Sequence, residues 1–307
     1  MSSTNDAALA GIDHPLAGLL RQYRSAQKFV SNYGPRWAGE ALRGGRIYAD
    51  WQQIGADSGR MACSKPNLQN LPRDERYRRC FVAPPGRILV KADYSQVELR
   101  IAAKVSGDKA MIDAYQAGED LHTLTARRVL GIGEVTKEHR QLAKAINFGL
   151  VYGMGVERFR AYALAQYGLQ LTQKEARRYR DAFFAAHPGL RRWHRSIGNP
   201  PVDTRTLAGR RRQHVRRYTE KLNTPVQGTG ADGLKLALAL LWERRDQCPG
   251  AFPVLAVHDE IVIEADEDQV EAVTAWLKAA MVDALAPLLA PVPVEVEVKV
   301  GRTWGGG

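Results

Sequence analysis

Two aspartates far apart in the chain, Asp93 and Asp259, could together hold metal ions. Asp93 ends the apolar run RILVKAD, and Asp259 and Glu260 lie in PVLAVHDEIVIEA, which is typical of two short strands joined at a tight turn. If these strands are neighbours in one sheet, the carboxylates meet at one edge and repel each other. Hard divalent cations relieve that repulsion, and two Mg²⁺ ions about 4 Å apart can activate an attacking oxygen and stabilise a leaving one.

Each of these acidic residues also has an ordinary explanation. Aspartate favours turns, so an acidic hairpin tip is more often solvated surface than an active site. Asp93 alone could be a strand-end residue whose charge stabilises the N-terminus of the following helix. Ser95 and Glu98 have the spacing of a capping box, which would give Glu98 a role in starting that helix.

A second stretch, RQLAKAINFGLVYG, has chemistry that suits a nucleoside triphosphate. Four of its side chains recur at every fourth position: Arg140, Lys144, Phe148 and Tyr152. At about 100° per residue they share one broad stripe of a helix, with charge for phosphates and flat rings for a base or sugar. An amphipathic helix with its aromatic residues in a core is the alternative. Gly149 and Gly153, each costing about 1 kcal/mol inside a helix, indicate a close approach or a helix end that moves.

The charge of the chain favours an anionic partner. Lys and Arg number 44 against 33 Asp and Glu, a net charge of +11. The strongest local excess runs from Arg205 to Lys221, with only Glu220 opposing it. Its seven cations are Arg205, Arg210, Arg211, Arg212, Arg216, Arg217 and Lys221. A solvated basic surface would explain them, but RRWHR at 191–195 adds further charge and favours phosphate binding.

Composition excludes several classes of protein. With 307 residues, 45% of them hydrophobic, the chain can bury a core as one large domain or two intertwined lobes. No apolar run approaches the roughly 20 residues of a membrane span, and the polar opening MSSTNDAALAG does not resemble a signal peptide. Cys63, Cys80 and Cys248 lack C-x-x-C spacing, which argues against a disulfide framework or zinc ribbon. A reducing cytosol or nucleoid fits best.

The elements that must position these residues form an α+β pattern. The sequence predicts an amphipathic helix over 15–33, a buried strand RILVKAD, and a helix from Ser95 to Gly107. Residues 108–198 are helical in pattern. The last hundred residues predict a helix over 231–246, two strands around VHDE, a helix over 267–285 and a strand over 292–300. A helical insertion therefore separates two parts of one sheet.

DYSQVELR, RQLAKAINFGLVYG and VHDE, in that order, resemble motifs A, B and C of family A DNA polymerases, the bacterial DNA polymerase I type. GRMACSKPNLQNLP, DLHT, TLAGRRR and NTPVQGTGADGLKLA are also similar to that family, so the likeness covers roughly residues 14–304. It implies a right-hand fold with an antiparallel palm sheet, helical fingers and a residual thumb helix. The implied division is 1–58 (tail, thumb helix and lead-in), 59–100 (palm), 101–204 (fingers) and 205–307 (palm).

The resemblance implies template-directed addition of deoxynucleotides to a primer. The implied partners are primer–template DNA and dNTPs, with no membrane. Asp93, Asp259 and the main-chain carbonyl of Tyr94 would hold two Mg²⁺ ions, for which Mn²⁺ could substitute, and Glu260 would lie behind them. Asp93, Asp259 and Lys144 are the implied catalytic residues.

The resemblance also implies binding roles. Glu98 would contact Tyr152 and act as a steric gate against a ribose 2′-hydroxyl. This interpretation of Glu98 competes with the capping box. The implied nucleotide-binding residues are Arg140, Lys144, Phe148, Tyr152, Glu98, His122 and Gln96. The implied DNA-binding residues are Arg60, Asn67, Gln69, Asn70, Arg210, Arg211, Asn223, Gln227 and His258.

Departures from the family pattern occur at Lys65, Ala256 and Gly230, none of which is an implied metal ligand. We also expect, from the short stretch before residue 14, no proofreading exonuclease and most of the thumb missing. A separate polypeptide would then supply the thumb or clamp function and dock on the apolar stripe of Leu16, Leu19, Leu20 and Tyr23. Two alternatives stay open: a reverse transcriptase using the same site, and an inactive DNA-binding or scaffold derivative, although Asp93, Asp259 and Lys144 are intact.

Overall fold

The computed structural model describes residues 4–72, 74–198 and 200–306. The α-helices are α1 Asp6–Ala10, α2 Pro15–Tyr33, α3 Pro35–Ala41, α4 Glu75–Arg78, α5 Val97–Ser106, α6 Lys109–Gln116, α7 Leu121–Thr125, α8 Lys137–Leu150, α9 Val156–Tyr167, α10 Gln173–Ala186, α11 Pro188–Ser196, α12 Tyr218–Glu243 and α13 Val270–Leu289. The strands are β1 Leu42–Arg43, β2 Arg46–Ile47, β3 Asp50–Gln52, β4 Ala62–Ser64, β5 Arg87–Tyr94, β6 Val202–Arg205, β7 Arg211–Val215, β8 Phe252–Val257, β9 Glu260–Asp266 and β10 Val296–Gly301. The mixed architecture confirms the predicted α+β class.

A four-stranded antiparallel sheet forms the centre of the molecule, in the order β10-β5-β9-β8. Because side chains alternate along a strand, β5 contributes to both faces. Val90 and Ala92 are fully buried in the main core, whereas Leu89 belongs to a second apolar cluster that includes Trp304. Lys91 is buried on the Trp304 face, where its ammonium group donates to the carbonyl oxygens of Trp304 and Gly306 at 2.8 and 2.9 Å.

Helices α5, α12 and α13 cover the main-core face of the sheet, and α6 to α11 form the helical insertion between β5 and β8. At Gly233 of α12 an added Cβ would lie 2.3 Å from Leu285 of α13, so the two helices approach closely only because this residue is glycine. The sequence predicts a helix over 231–246, but α12 begins thirteen residues earlier, at Tyr218. Pro225 lies inside it, and the buried Val226 and Leu222 anchor that first part.

The N-terminal region carries the predicted long helix. Pro15 starts α2 and Gly34 follows its last residue, as the sequence predicts. Its apolar stripe is exposed: Leu16, Leu19 and Tyr23 are 65%, 61% and 64% accessible. Tyr33, at the end of α2, donates a 2.6 Å hydrogen bond to the carbonyl of Asn70 and so ties this helix to the chain that leads into the sheet.

The helix after Asp93 starts differently from the prediction. It begins at Val97, and its N-cap is Gln96 in the left-handed conformation (φ 51°) with no side-chain cap. The predicted capping box of Ser95 and Glu98 is therefore wrong, and the Glu98 carboxylate is available for other contacts. The predicted helix over 267–285 runs instead over Val270–Leu289, and the last strand over Val296–Gly301. The predicted domain boundaries stay predictions.

By length and composition alone, one helix among the described residues, Glu267–Leu289, is apolar enough to cross a membrane. The sequence predicts no apolar stretch of that length, so this segment is an exception to the prediction. Its buried side chains, among them Trp276, Leu277 and Met281, lie in the main core with residues of β5, β9 and α12. A core helix of a globular protein meets the same length and composition test.

Candidate active site

The turn between β8 and β9 brings the predicted carboxylates to one end of the sheet. Asp93 lies directly opposite Glu260 in the β5–β9 ladder, and the Tyr94 amide donates to the Asp259 carbonyl at 3.3 Å. His258 makes the turn with a positive φ of 58°. Strands β5 and β9 are thus neighbours in one sheet, as the metal site predicted from the sequence requires. Asp93 and Asp259, 166 residues apart in the chain, therefore lie at the same end of the sheet.

Glu260 has a structural attachment beside that site. Residues directly opposite in an antiparallel pair project from the same face, so Glu260 shares a face with Asp93. The Trp304 indole N–H donates to Glu260 Oε1 at 2.7 Å, and the Arg78 guanidinium lies 3.8 Å from Oε2. These contacts hold Glu260 against Trp304 of the second apolar cluster, and its place behind a metal site stays a prediction.

The donor atoms suit a hard cation whose remaining coordination positions are filled by substrate oxygens. Asp93 is exposed, Asp259 is half-buried, and their ligand atoms are oxygens. Among residues 4–72, 74–198 and 200–306 no group of three or more His, Cys, Asp or Glu is placed to hold a metal ion. Two carboxylates plus a main-chain carbonyl are what Mg²⁺ uses when water and substrate phosphates fill its other positions. The residues present therefore fit Mg²⁺.

Glu98 joins three segments of the chain. Arg60 donates to its Oε1 at 2.7 Å, and the Tyr152 hydroxyl donates to its Oε2. Burial, and then the Glu98 carboxylate, raise the pKa of Tyr152 well above its ordinary value, so the hydroxyl stays protonated and donates. The contact that the resemblance implies between Glu98 and Tyr152 is present.

A cavity of about 600 Å³ opens beside this contact. It is lined by Glu98, Phe148, Tyr152, Met154, Arg158, Tyr162, Thr219, Glu220, Asn223 and Gln227. Two carboxylates, an arginine and three aromatic rings in one lining are the mixture of polar and flat apolar groups expected of a small-molecule site. The structure therefore brings three of the predicted nucleotide-binding residues, Glu98, Phe148 and Tyr152, and two of the predicted DNA-binding residues, Asn223 and Gln227, around one space.

Asp120 organises the predicted phosphate-binding residues, and sequence reasoning missed it. Arg140 donates to both of its oxygens, at 2.9 and 3.0 Å, and the Gln96 amide donates to Oδ1 at 3.1 Å. Asp120 also caps α7 through the amide of Thr123 at 2.9 Å. Burial alone would raise the pKa of Asp120, but hydrogen bonds from Arg140 and Thr123 outweigh it and hold that pKa well below its ordinary value. The sequence indicates only that Asp120, directly before Leu121, is a candidate N-cap of the following helix.

His122, two residues beyond Asp120, is buried and neutral. Burial, opposed by Asp120 but supported by Arg140 and Lys144, lowers the pKa of His122 to about 4. Its ring lies 5.7 Å from that of Phe148. Lys144 is exposed on α8. His122, Arg140 and Lys144 are thus close enough for their charges to interact.

The two glycines beside the aromatic residues serve close packing by the protein itself. An added Cβ at Gly149 would lie 2.7 Å from the ring of Phe159. At Gly153, where φ is 71°, it would lie 2.6 Å from the ring of Tyr218. Helix α8 ends at Leu150, so Tyr152 lies in the following turn rather than on the helical stripe.

Three of the predicted DNA-binding residues, Arg60, Gln69 and His258, lie near the carboxylate turn. The side-chain amide of Gln69 donates to the carbonyl of Ala256 at 3.2 Å, and Asn67 Oδ1 accepts from the main-chain N–H of Gln69 at 3.1 Å. Arg60, Gln69 and His258 share the lining of a small cavity. Asn70 is exposed beside Asn67. The segment 59–72 therefore places polar side chains around the end of β8.

Arg210 and Arg211 have partners within the protein instead. Arg210 donates to Asp232 at 2.8 Å and to the carbonyl of Ser58 at 2.5 Å, and Arg211 donates to Asp203. Both guanidinium groups, which a phosphate would need to find free, thus already have partners within the protein. Their contact with DNA stays a prediction, and Arg210 has a structural role.

Known proteins resemble this chain over almost all its length. The sequence model described as DNA polymerase family A matches residues 1–306. DNA polymerase I of Aquifex aeolicus is 40% identical over 312 residues, which cover 98% of this chain and 53% of that protein. The thermostable DNA polymerase I of Thermus aquaticus is 38% identical over 325 residues, which cover 98% of this chain and 38% of that protein. The chain spans about half, or less, of the length of these curated relatives.

One solved structure has the same fold. The polymerase domain of Pol1 from M. smegmatis, in complex with DNA primer-template and dNTP, matches with a TM-score of 0.85 and 31% identity, covering 99% of this chain and 57% of that chain. The sheet with its helical insertion therefore has the architecture of the polymerase domain of a DNA polymerase I. The chain belongs to DNA polymerase family A.

Proposed function

We propose that this chain extends a primer by template-directed addition of deoxynucleotides, through attack of the primer 3′-hydroxyl on the α-phosphate of a dNTP. The observation that carries the proposal is the meeting of Asp93 and Asp259 at one end of the β5–β9–β8 sheet. Family membership supports the same activity. In phosphoryl transfer the protein contributes mainly positioning and electrostatic stabilisation, which is what these residues offer.

The carboxylate site would hold the metal ions. We assign Asp93, Asp259 and the Tyr94 carbonyl as ligands of two Mg²⁺ ions, with Mn²⁺ as a substitute. When bound, such ions lower the cost of deprotonating the primer hydroxyl and stabilise the leaving pyrophosphate. Glu260 orients the end of β9 through its contact with Trp304.

The nucleotide would lie between the carboxylates and α8. Arg140 and Lys144 would bind its phosphates, and Lys144 would donate a proton to the leaving pyrophosphate. Phe148 and Tyr152 would contact its sugar and the templating position. Glu98, held by Tyr152 and Arg60, would exclude a 2′-hydroxyl.

Primer and template would contact the polar residues near the carboxylate turn. The assigned residues are Arg60, Asn67, Gln69, Asn70, Asn223, Gln227 and His258, whose side chains suit the acceptors that all correct base pairs share in the minor groove. The M. smegmatis protein named above is described in complex with DNA primer-template and dNTP, and this supports the same partners here. We assign no proofreading to these residues.

Three expectations about the setting of the chain remain predictions. They are a cytosolic or nucleoid location, a separate polypeptide docked on the exposed stripe of α2, and synthesis without proofreading.

Primer extension with Mg²⁺ on matched DNA and RNA templates tests the proposal. We expect extension on the DNA template that depends on Mg²⁺ and on all four dNTPs. Comparable rates on both templates would favour the reverse transcriptase alternative. Duplex binding without extension on either template would contradict the proposal and favour an inactive DNA-binding derivative.

A further inference from the structure

A chain of three buried side chains connects α7 with α8. The Thr125 hydroxyl donates to Asn147 Oδ1 at 2.9 Å, and Asn147 Nδ2 lies 2.9 Å from Nδ1 of His122. Thr125, Asn147 and His122 are 0%, 1% and 2% accessible. Since the Thr125 hydroxyl and the Asn147 amide are shut off from solvent, both must find their hydrogen-bond partners within the protein.

The chain of hydrogen bonds has a direction. Among the described residues the Thr125 hydroxyl makes no hydrogen bond except that to Asn147. If it donates to Oδ1, the amide turns its NH₂ group toward His122, and Nδ1 of His122 must accept. The reverse orientation would leave the Thr125 hydroxyl hydrogen buried without an acceptor, which is costly. The ring proton of a neutral His122 therefore belongs on Nε2.

The tautomer matters because His122 is neutral at physiological pH. Burial and the nearby charges of Arg140 and Lys144 keep the pKa of His122 near 4. A neutral imidazole carries one N–H, so Nε2 is either a donor or a bare lone pair. An Nε2–H group attracts an anion, whereas a bare lone pair on Nε2 repels it.

We propose that Asn147 and Thr125 are positioning residues that hold His122 with its proton on Nε2, so that His122 donates a hydrogen bond to the triphosphate bound by Arg140 and Lys144. This inference rests on the proposed function for the identity of the anion. Neither Asn147 nor Thr125 touches the nucleotide in this assignment; both act through His122.

The tautomer can be read without catalysis. Nitrogen-15 spectra of the histidine rings in the full chain, with His122 assigned by its loss in His122→Gln, distinguish a protonated Nε2 from a protonated Nδ1. We expect Nε2–H in the wild type and in Thr125→Ser, which keeps the hydroxyl. Asn147→Asp, which can only accept, should move the proton to Nδ1. A wild-type His122 protonated on Nδ1 would overturn the proposal.

Kinetics test the consequence for the nucleotide. Thr125→Val removes the hydroxyl without changing charge or shape, and we expect a mixture of tautomers with a dNTP KM raised about fivefold and a kcat changed less. Thr204→Val is the matched control, because the Thr204 hydroxyl is buried without a hydrogen-bond partner among the described residues; its KM should stay at the wild-type value.

The two parts of the test fail separately. A changed tautomer in Thr125→Val with an unchanged KM would overturn the role toward the nucleotide. An equal rise of KM in Thr204→Val would show a general structural effect and also overturn it. A wild-type chain that extends no primer would refute the proposed function, while the spectra would still decide the tautomer.

Discussion

At the scale of single residues, Glu98 shows how one carboxylate can shape a binding site. Its two oxygens accept from different partners, Arg60 and Tyr152, which come from segments far apart in the chain. A carboxylate held from both sides has little freedom to move away from an incoming sugar. A 2′-hydroxyl would then be excluded because the Glu98 carboxylate cannot move aside, and because the hydroxyl would lose its water without gaining a new hydrogen-bond partner.

Two substitutions test the sugar site. Glu98→Ala removes the held carboxylate, so ribonucleotide incorporation should rise relative to deoxynucleotide incorporation by at least about tenfold, a cost of about 1.4 kcal/mol. Phe148→Tyr should increase termination by dideoxynucleotides, because a hydroxyl on this ring can replace the missing 3′-hydroxyl of the substrate. Competition assays with paired nucleotides measure both ratios. Unchanged ratios in both variants would mean that α8 lies differently from the sugar.

Buried histidines make stability depend on pH. Burial lowers the pKa of His122 and His194 to about 4 from 6.5, so between these values the unfolded chain binds protons that the folded chain does not. Stability should therefore fall as the pH is lowered from about 6.5 to about 4, by up to about 3 kcal/mol for each residue. Urea unfolding at pH 7 and pH 5 measures the loss. His194→Gln should lose less between these pH values than the wild type, and an equal loss would contradict the prediction.

At the scale of elements, Arg210 fixes the loop before Arg60 to helix α12. Its guanidinium lies against Gly59 and Gly228, where an added Cβ would come within 2.1 and 2.8 Å of it. It donates to Asp232 on α12 and to the Ser58 carbonyl in the loop. This loop continues into Arg60, which donates to Glu98. Arg210 therefore helps to fix Arg60 and Glu98, which lies in the lining of the cavity, relative to α12.

Arg210 and its neighbour Arg211 form a matched pair for mutation. Arg210→Ala leaves the buried Asp232 carboxylate without its main partner and should cost about 3 kcal/mol of unfolding free energy. Arg211→Ala removes an exposed ion pair with Asp203 and should cost less than about 1 kcal/mol. Chemical denaturation measures both. Equal costs would contradict the structural role of Arg210.

The sequence predicts the elements whose periodicity is local and misses contacts made across the fold. Helix α2 and strand β5 carry their pattern in consecutive residues, and the structure has both. The early start of α12 was missed because Pro225 disfavours a helix, and tertiary packing of Val226 overrides it. Asp120 and Arg140 are 20 residues apart, and Arg210 and Asp232 are 22 apart, so no local pattern pairs them.

At the scale of the molecule, the helical insertion carries a large share of the unpaired positive charge. Residues 121–198 contain fourteen Lys and Arg against five Asp and Glu, so this segment dominates the basic character of the chain. The tract from Arg205 to Lys221, strongest by sequence, is largely neutralised by Asp57, Asp203, Glu220 and Asp232. Among the described residues of 121–198, eleven cations make no ion pair and are exposed: Arg127, Arg128, Lys137, Lys144, Arg158, Lys174, Arg177, Arg178, Arg191, Arg192 and Arg195.

The salt dependence of DNA binding should therefore follow the insertion. Each phosphate contact contributes about 0.9 to the slope of log affinity against log salt. We expect Arg191→Gln, Arg192→Gln and Arg195→Gln together to reduce that slope by about 1 to 3. Arg211→Gln with Arg217→Gln, which remove paired cations, should change it by less than about 1. Titrations of fluorescent duplex at several salt concentrations measure the slopes, and a larger effect of the second set would contradict this distribution of charge.

The most direct measurement is single-turnover primer extension by Asp93→Asn and Asp259→Asn, with duplex affinity measured on the same preparations. Loss of either carboxylate should slow extension by more than about 100-fold, since changes beyond the direct ligands of a metal already cost 10 to 100-fold. Duplex affinity should stay within about threefold, because phosphate contacts lie elsewhere. Asp113→Asn, an exposed aspartate on α6, is the matched control and should extend at the wild-type rate. Normal extension by either active-site variant would contradict the assignment of Asp93 and Asp259 as the paired carboxylates of the reaction.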